Sequence, residues 1–153
     1  MLKICDLKDN ISYLREIAIL TQKEWGNKDL TEDEFNERVV KKEEKIKSLL
    51  DNKDYCKLLL LDDDILVGFI SIFPTDGEER QDLTPWYATM YVKEEYRNKG
   101  YSKILNDAIL KEAKARGYDK IYLKSELKNY YEKFGAKYIE DLKNGEKLYY
   151  IQL

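Results

Sequence analysis

One stretch of this 153-residue chain constrains the fold more than any other, and it runs from Ala88 to Lys103. Apolar side chains alternate from Ala88 to Val92, which predicts a strand. A charged turn follows, and apolar side chains then recur at helical spacing from Tyr101 to Ala113, which predicts an amphipathic helix that packs on a sheet. Such a turn leaves the first N–H groups of the helix without partners, at the end where the helix dipole is positive.

This turn has the properties of a phosphate-binding site. Arg97 and Lys99 add positive charge at the helix end, and Gly100 and the small Ser102 let a ligand approach the backbone. The glycine-rich fingerprints of dinucleotide-binding proteins and of P-loop proteins are absent from the sequence. We therefore expect a phosphate or pyrophosphate ligand of another class between Arg97 and Lys103.

The pattern V-x-x-E-Y-R-x-K-G-x-S, from Val92 to Ser102, resembles the acyl-coenzyme A binding motif of the GCN5-related N-acetyltransferases, the GNAT family. Arg97 and Gly100 are in register with that motif. Glu94 stands where proline is common in the family, and Ser102 where glycine or alanine is expected. Both departures are mild.

A second segment, Y-E-K-F-G from Tyr131 to Gly135, resembles the family's L-Y-E-K-x-G-F motif, which lies on a short helix after the next strand. The two motifs occur in the family's order and are separated by one predicted helix and one predicted strand. The resemblance therefore covers the second half of the chain, and the pattern of the first half is compatible with it.

The resemblance implies an α+β protein with the acyl-CoA N-acyltransferase (GNAT) fold. Its central sheet would be mixed and mostly antiparallel, with about seven strands flanked by about four helices, in a single domain over residues 1–153. It also implies an N-acetyltransferase that moves an acetyl group from acetyl-CoA to a primary amine by direct transfer and needs no metal. A non-catalytic acyl-CoA-binding sensor on the same fold is the alternative.

Site residues follow from the family motifs. The expected cofactor-binding residues lie on the strand before the motif and on the motif itself: Met90, Tyr91, Val92, Arg97, Asn98, Lys99, Gly100, Tyr101, Ser102 and Lys103. Tyr131 falls on the tyrosine that protonates the departing thiolate in many members, with Tyr130 in its place if the register differs by one. A phenol of pKa about 10 can protonate a thiolate of pKa about 8.5 without a large penalty.

The general base stays open at this stage. The chain contains no histidine, which excludes Ser-His and Cys-His mechanisms and nearly all zinc sites with mixed ligands. Many family members use a carboxylate on the strand before the first motif, but the segment from Trp86 to Val92 has none. Glu78, Glu79 or Asp82 in the preceding loop could serve, and no base is needed if the amine arrives neutral.

Acidic and aromatic residues suggest a small cationic amine as acceptor. Glu79 and Asp82 belong to a loop with four acids and one arginine, and such a loop attracts cations. Trp25 and Trp86 flank regions that border the acceptor site in the family, and aromatic faces hold ammonium groups. A solvated loop and two core tryptophans are the competing interpretation, and a protein amine is an alternative acceptor.

Composition excludes several other classes of protein. The net charge is −3, with 37% charged residues of both signs and no basic stripe, so we expect no nucleic-acid partner. No apolar run approaches the length of a membrane span or a signal peptide, and the two cysteines suit free thiols, so we expect a cytoplasmic protein. The sequence leaves monomer and homodimer open.

Local signals predict the remaining elements. Thr31 and Glu34 form a capping box for a helix that ends near Leu50, and its charged run from Lys41 to Lys47 is interpreted as a solvated face. Strands at 55–61 and 65–73 form a hairpin closed by three aspartates, which favour a turn over a metal site. A strand is expected at 120–124, a short helix at 125–134, and a final hairpin around 144–145.

Overall fold

A computed structural model describes all residues, 1–153. The strands are β1 (Leu2–Asp6), β2 (Cys56–Asp62), β3 (Ile65–Phe73), β4 (Trp86–Val92), β5 (Lys120–Ser125), β6 (Ala136–Asp141) and β7 (Lys147–Gln152). The α-helices are α1 (Leu14–Trp25), α2 (Glu32–Leu49) and α3 (Tyr101–Ala115). The strands form one sheet in the order β1-β2-β3-β4-β5-β7-β6, and every pairing is antiparallel except that of β4 with β5. This confirms the expected mixed, mostly antiparallel α+β fold.

Helices cover both faces of the sheet. Leu58 and Leu60 of β2 share a buried cluster with Leu105 and Ile109 of α3. The alternate residues Leu59 and Leu61 pack on the opposite face with Ile17 of α1 and Ile46 of α2. Because β2 is buried on both faces, its sequence is a continuous apolar run rather than an alternating one. No helix combines the length and the apolar character needed to cross a lipid bilayer.

The local signals at helix starts and turns are confirmed. Thr31 Oγ1 accepts from the Glu34 N–H and the Glu34 carboxylate accepts from the Thr31 N–H, so both halves of the capping box are present. Asp63 and Asp64 close the β2–β3 hairpin with φ of 47° and 73°. No group of three or more potential metal ligands occurs in the structure.

The helix expected at 125–134 is wrong. Only Tyr131–Phe134 is helical, as a single 3-10 turn. The Leu127 N–H instead donates to Ser125 Oγ at 3.0 Å, and Asn129 has a φ of 57°. Local side chain–backbone bonding and left-handed residues of this kind compete with a regular helix. The chain therefore has three α-helices and not about four.

Candidate active site

The site begins where β4 and β5 separate. Their only registered pair is Trp86 with Tyr122, and the Tyr122 N–H donates to the carbonyl oxygen of Pro85 at 3.0 Å. From Tyr87 to Val92, β4 pairs with β3 alone. The edge of β4 that faces β5 therefore has free backbone groups, and a slot opens between the two strands.

A bulge in β4 lies at this slot. The register between β3 and β4 shifts between Phe69 and Ser71, and Thr89 has a φ of 52°. A left-handed backbone is costly for a β-branched residue, and such strain is often found at functional sites. The Thr89 hydroxyl donates to Ser71 Oγ at 2.8 Å, which holds the bulge in place. A bulge bends its strand and re-aims the residues beside it.

A cleft of about 550 Å³, here called the central cleft, fills the slot between β4 and β5. Tyr87 and Met90 line it from β4, and Leu123 lines it from β5. Tyr131 closes one side, as the first residue of the 3-10 turn. The cleft thus brings the expected catalytic tyrosine to the free edge of β4.

Tyr131 is half-buried among other aromatic rings. Its ring meets the Tyr130 ring edge-on at 4.8 Å and the Tyr87 ring edge-on at 6.0 Å, both between centroids. Burial raises the pKa of Tyr131, and Tyr130 acts in the same direction. Tyr131 is therefore a phenol, with a proton to donate, throughout the physiological pH range. Tyr130 lines a neighbouring cleft and not this one.

Tyr87 contributes a further polar atom to the central cleft. Its hydroxyl oxygen is buried without a hydrogen-bond partner, and burial raises the pKa of the group. A buried hydroxyl without a partner is costly. Because the side chain lines the central cleft, a ligand there could supply the missing partner.

A second cleft of about 400 Å³, the turn cleft, continues from the central cleft across Met90. It is lined by Tyr91 and Val92 of β4, by the turn before α3 and by Tyr130, and the turn residues are Arg97, Asn98, Gly100, Tyr101 and Ser102. The backbone N–H groups of residues 98–103 donate no hydrogen bond within the protein. A helix N-terminus with unpartnered N–H groups is suited to bind an anion.

The glycine in the turn serves the backbone conformation. Gly100 has a φ of 81° and is the N-cap of α3, whereas a Cβ atom placed on it would meet no atom within 4 Å. Left-handed φ rather than lack of space therefore selects glycine here. Asn98, also at positive φ, gives the turn a second left-handed residue.

The charged side chains of the turn are only partly directed at the cleft. Arg97 lines it while its Nε donates to the carbonyl oxygen of Val92 at 2.8 Å. Lys99 Nζ lies 5.8 Å from the centre of the Tyr96 ring, and Lys103 Nζ pairs with Asp107 at 2.7 Å. The side chains of Lys99 and Lys103 do not line the turn cleft, so their contribution there is the backbone N–H.

The comparison with known families agrees with this geometry. A sequence model described as the acetyltransferase (GNAT) family matches residues 14–136, which is most of the chain. The chain belongs to the GNAT acetyltransferase family. A search of curated protein sequences gave no match.

Solved structures share the fold of this GNAT protein over its whole length. A PaiA N-acetyltransferase from Thermoplasma acidophilum, solved in complex with coenzyme A, is 21% identical, with a TM-score of 0.71 and coverage of 100% of this chain and 99% of that one. An aminoglycoside 6'-acetyltransferase type Ii is 20% identical at a TM-score of 0.71, covering 99% and 96% of the two chains. An aminoglycoside 6'-N-acetyltransferase complexed with coenzyme A is 18% identical at a TM-score of 0.71, covering 98% and 96%.

The expected acceptor-binding residues divide into one that lines the clefts and three that do not. Trp25 of this GNAT protein is 49% exposed and lines the central cleft. Trp86 is fully buried, and its Nε1 donates to the carbonyl oxygen of Leu83 at 2.8 Å, with Leu148 in the same core cluster. The expectation that Trp86 contacts substrate is wrong, because its side chain is fully buried in the core.

Glu79 and Asp82 also lie outside the clefts. Asp82 pairs with Arg80 at 3.0 Å, and the Glu79 carboxylate accepts from the Lys143 N–H at 2.9 Å. Arg80 further pairs with Glu140 of β6. Glu79 and Arg80 therefore tie this loop to the β6–β7 hairpin, and neither Glu79 nor Asp82 lies where a cationic acceptor was expected to bind.

Other acids line the central cleft in their place. Asp76, Glu126 and Glu146 are there with a single cation, Lys124, whose Nζ donates to the carbonyl oxygen of Asp76 at 2.7 Å. Burial raises the pKa of Asp76. Sequence reasoning counted Asp76 among the loop acids but missed Glu126 and Glu146, because they come from three separate segments without a shared motif.

Proposed function

We propose that this protein is an N-acetyltransferase that moves the acetyl group of acetyl-CoA directly to a primary amine of a small, cationic acceptor. One observation carries the proposal: the free edge of β4 joins the unpartnered N–H groups of the turn to the Tyr131 phenol in one continuous pair of clefts. Acyl transfer from a thioester needs a grip on coenzyme A at one end and a proton donor at the other. The two clefts supply both.

The turn cleft fits the phosphate groups of coenzyme A. Backbone N–H groups of residues 98–103 have no competing acceptor in the protein, and Arg97 adds a full positive charge. Both features favour a phosphate. The pantetheine arm would then pair with the free edge of β4 at Met90, Tyr91 and Val92, in the manner of an added strand.

The chemical step uses groups at the bulge and at Tyr131. The bound ammonium group first loses one proton to solvent; the neutral amine nitrogen then attacks the thioester carbonyl carbon and the C–S bond breaks. The second proton that the nitrogen loses balances the proton that the thiolate gains and returns Tyr131 to its phenol form. An N–H of Met90 or Tyr91, beside the bulge, would stabilise the negative charge that develops on the carbonyl oxygen. Tyr131 would give its proton to the departing thiolate.

The acceptor side of the central cleft favours a cation. Asp76, Glu126 and Glu146 outnumber Lys124 there, and negative groups in a cleft attract a positively charged amine. The half-exposed ring of Trp25 offers an aromatic face to the same ammonium group. Both cysteines of the chain are free thiols, which supports activity in the cytoplasm.

The test is release of free thiol from acetyl-CoA across a panel of polyamines, aminoglycosides, amino acids and peptides, with mass spectrometry of the acceptor. Thiol release with an acceptor that gains one acetyl group is the expected result. Thermal stabilisation by acetyl-CoA without transfer to any amine would instead indicate the acyl-CoA-binding sensor. If acetyl-CoA gave neither thermal stabilisation nor turnover, both functions would be refuted.

A further inference from the structure

A third cleft of about 490 Å³, here called the lysine cleft, lies between the sheet and helices α1 and α2. Lys42 and Lys45 of α2 and Lys57 of β2 line it. None of these three ammonium groups makes a salt bridge, although the chain forms ten others. Three ammonium groups in one cleft repel each other, and Asp76 is the one carboxylate in the lining that offsets them, so the cleft is complementary to an anion.

Lys57 is the most unusual of the three. Its side chain is 2% exposed, and its Nζ lies 3.5 Å from Thr89 Oγ1 and 4.8 Å from the centre of the Phe69 ring. No carboxylate of the protein pairs with it. Burial lowers the pKa of Lys57 to about 7, and Lys42 acts in the same direction. A buried lysine whose only hydrogen-bond partner is a distant neutral hydroxyl is costly, and a bound anion would offset that cost.

The lysine cleft offers one further unused polar side chain. The Thr21 hydroxyl oxygen is buried without a hydrogen-bond partner and lines this cleft. Asp76 is the only carboxylate in the lining. A ligand carboxylate would accept several hydrogen bonds and supply negative charge to compensate the three lysine ammonium groups. The central cleft shows the opposite pattern, with three acids and one lysine.

The two clefts meet at the bulge. Trp25, Asp76 and Thr89 line both of them, so a small molecule can occupy the two at once. The residue beside Lys57 is the strained Thr89, which also adjoins the expected position of the thioester carbonyl. An anion next to Lys57 is therefore close to the reacting amine.

We propose that the lysine cleft binds a carboxylate of the acceptor, so that the acceptor is a small amino carboxylate with its amine in the central cleft and its carboxylate beside Lys57. The inference rests on the proposed acetyl transfer and narrows its acceptor from a cationic amine to a zwitterion, whose ammonium group faces the acids of the central cleft. It also assigns a role to a buried lysine that the transfer mechanism does not use.

Matched acceptor pairs test the substrate class. Glycine, β-alanine, 4-aminobutyrate and lysine would each be compared with the corresponding amide in thiol release from acetyl-CoA. At least one amino acid is expected to exceed its amide by about thirtyfold or more in kcat/KM, the loss typical when one partner of a buried charge pair is removed. Equal values for acids and amides, with turnover present, would overturn the inference and leave the transferase standing.

Variants of the cleft lysines test which side chains cause the preference for the acid over the amide. Lys57→Met keeps an unbranched side chain that is one atom shorter and removes the charge, and it should abolish the preference for the acid over the amide. The double variant Lys42→Met/Lys45→Met should weaken the preference without touching the core. Lys47→Met is the matched control, because this lysine is on the same helix, is exposed and does not line the cleft. A preference that survives Lys57→Met would contradict the assignment.

A binding measurement separates this inference from the proposed function. Titration of the amino acid panel into the protein without acetyl-CoA, followed by calorimetry, should show binding that Lys57→Met weakens and Lys47→Met does not. Such binding with no turnover would refute the transferase while retaining the carboxylate site. No binding of any amino acid in the panel would overturn the inference.

Discussion

At the scale of single residues, Tyr131 is one of two tyrosines that line the central cleft, with Tyr87, and it is the proposed proton donor. Replacing it with Phe should lower kcat by about 10²- to 10⁴-fold, because general acid catalysis contributes factors of that size. Affinity for coenzyme A should change little. Tyr130→Phe is the control, since Tyr130 packs edge-on against Tyr131 but lines only the turn cleft. Single-turnover kinetics, together with coenzyme A titration, would check both; an equal loss of kcat in the two variants would contradict the assignment of the proton donor to Tyr131.

Burial of Lys57 leads to a second prediction, which concerns the pH dependence of folding stability. Its pKa is about 7 in the folded protein and near the ordinary 10.5 in the unfolded chain, so between these values the unfolded chain binds more protons. The charges that face it are Lys42, Lys45 and Asp76 across the cleft and the neighbouring Cys56 thiol. The lysine therefore costs stability below pH 7, and this cost is relieved as the pH rises from 7 towards 10.5.

Lys57→Met should accordingly raise the free energy of unfolding by on the order of a few kcal/mol at pH 6, and the gain should shrink progressively above pH 7. Urea unfolding of wild type and variant at several pH values measures the difference. Lys47→Met should leave the free energy of unfolding unchanged at every pH. A gain for Lys57→Met that does not depend on pH would show that its charge is already compensated in the folded protein.

At the scale of the element, the turn into α3 can be tested with a pair of glycines on one helix. Gly100 precedes α3 at a φ of 81°, and Gly117 follows it at a φ of 92°. A Cβ atom would meet no atom within 4 Å at either position, so valine imposes the same backbone strain at both, on the order of 1–3 kcal/mol.

Only Gly100→Val should abolish stabilisation by acetyl-CoA, since only that change disturbs the N–H groups of the turn. Gly117→Val should lower the melting temperature of the free protein by a similar amount and keep the ligand-induced shift. Differential scanning fluorimetry with and without acetyl-CoA gives both quantities. Loss of the shift in both variants would point to general destabilisation and not to a ligand site at the turn.

The elements that sequence alone predicts well are those fixed by local rules. Periodicity places β4 and α3 correctly, and the Thr31 capping box marks the start of α2. The segment 126–130 escapes prediction, because Ser125 and the left-handed Asn129 override a helical pattern that the apolar residues suggest.

Whether a site residue can be predicted from sequence also depends on whether its position is set by neighbouring residues or by contacts that are remote in sequence. The turn and Tyr131 were predicted from two separate motifs, each of which is a short run of consecutive residues. The role of Asp82 was misjudged because its partner Arg80 also binds Glu140, on a strand that is remote in sequence. Lys42 and Lys45 lie in a run interpreted as a solvated face, and only the packing of α2 over β2 shows that they line a cleft.

At the scale of the whole molecule, the protein carries a net charge of −3 and is proposed to bind a ligand rich in phosphate. Attraction must therefore come from the local field of the turn, where free N–H groups and Arg97 outweigh the acidic average. Acetyl-CoA at 100 times its dissociation constant should stabilise the fold by about 2.7 kcal/mol. For a chain of 153 residues this corresponds to a rise of very roughly 5–10 °C in melting temperature.

Acetylated pantetheine, which keeps the thioester and the arm but lacks the nucleotide and its phosphates, isolates the contribution of the turn. We expect it to give a much smaller shift at equal concentration, because it can pair with the edge of β4 but leaves the N–H groups of residues 98–103 unpartnered. Replacing Arg97 with Gln should lower the shift by acetyl-CoA and leave the shift by the truncated ligand unchanged. If the two ligands stabilised wild type equally, the phosphates would bind elsewhere or remain in solvent, and the turn would have no part in holding the cofactor.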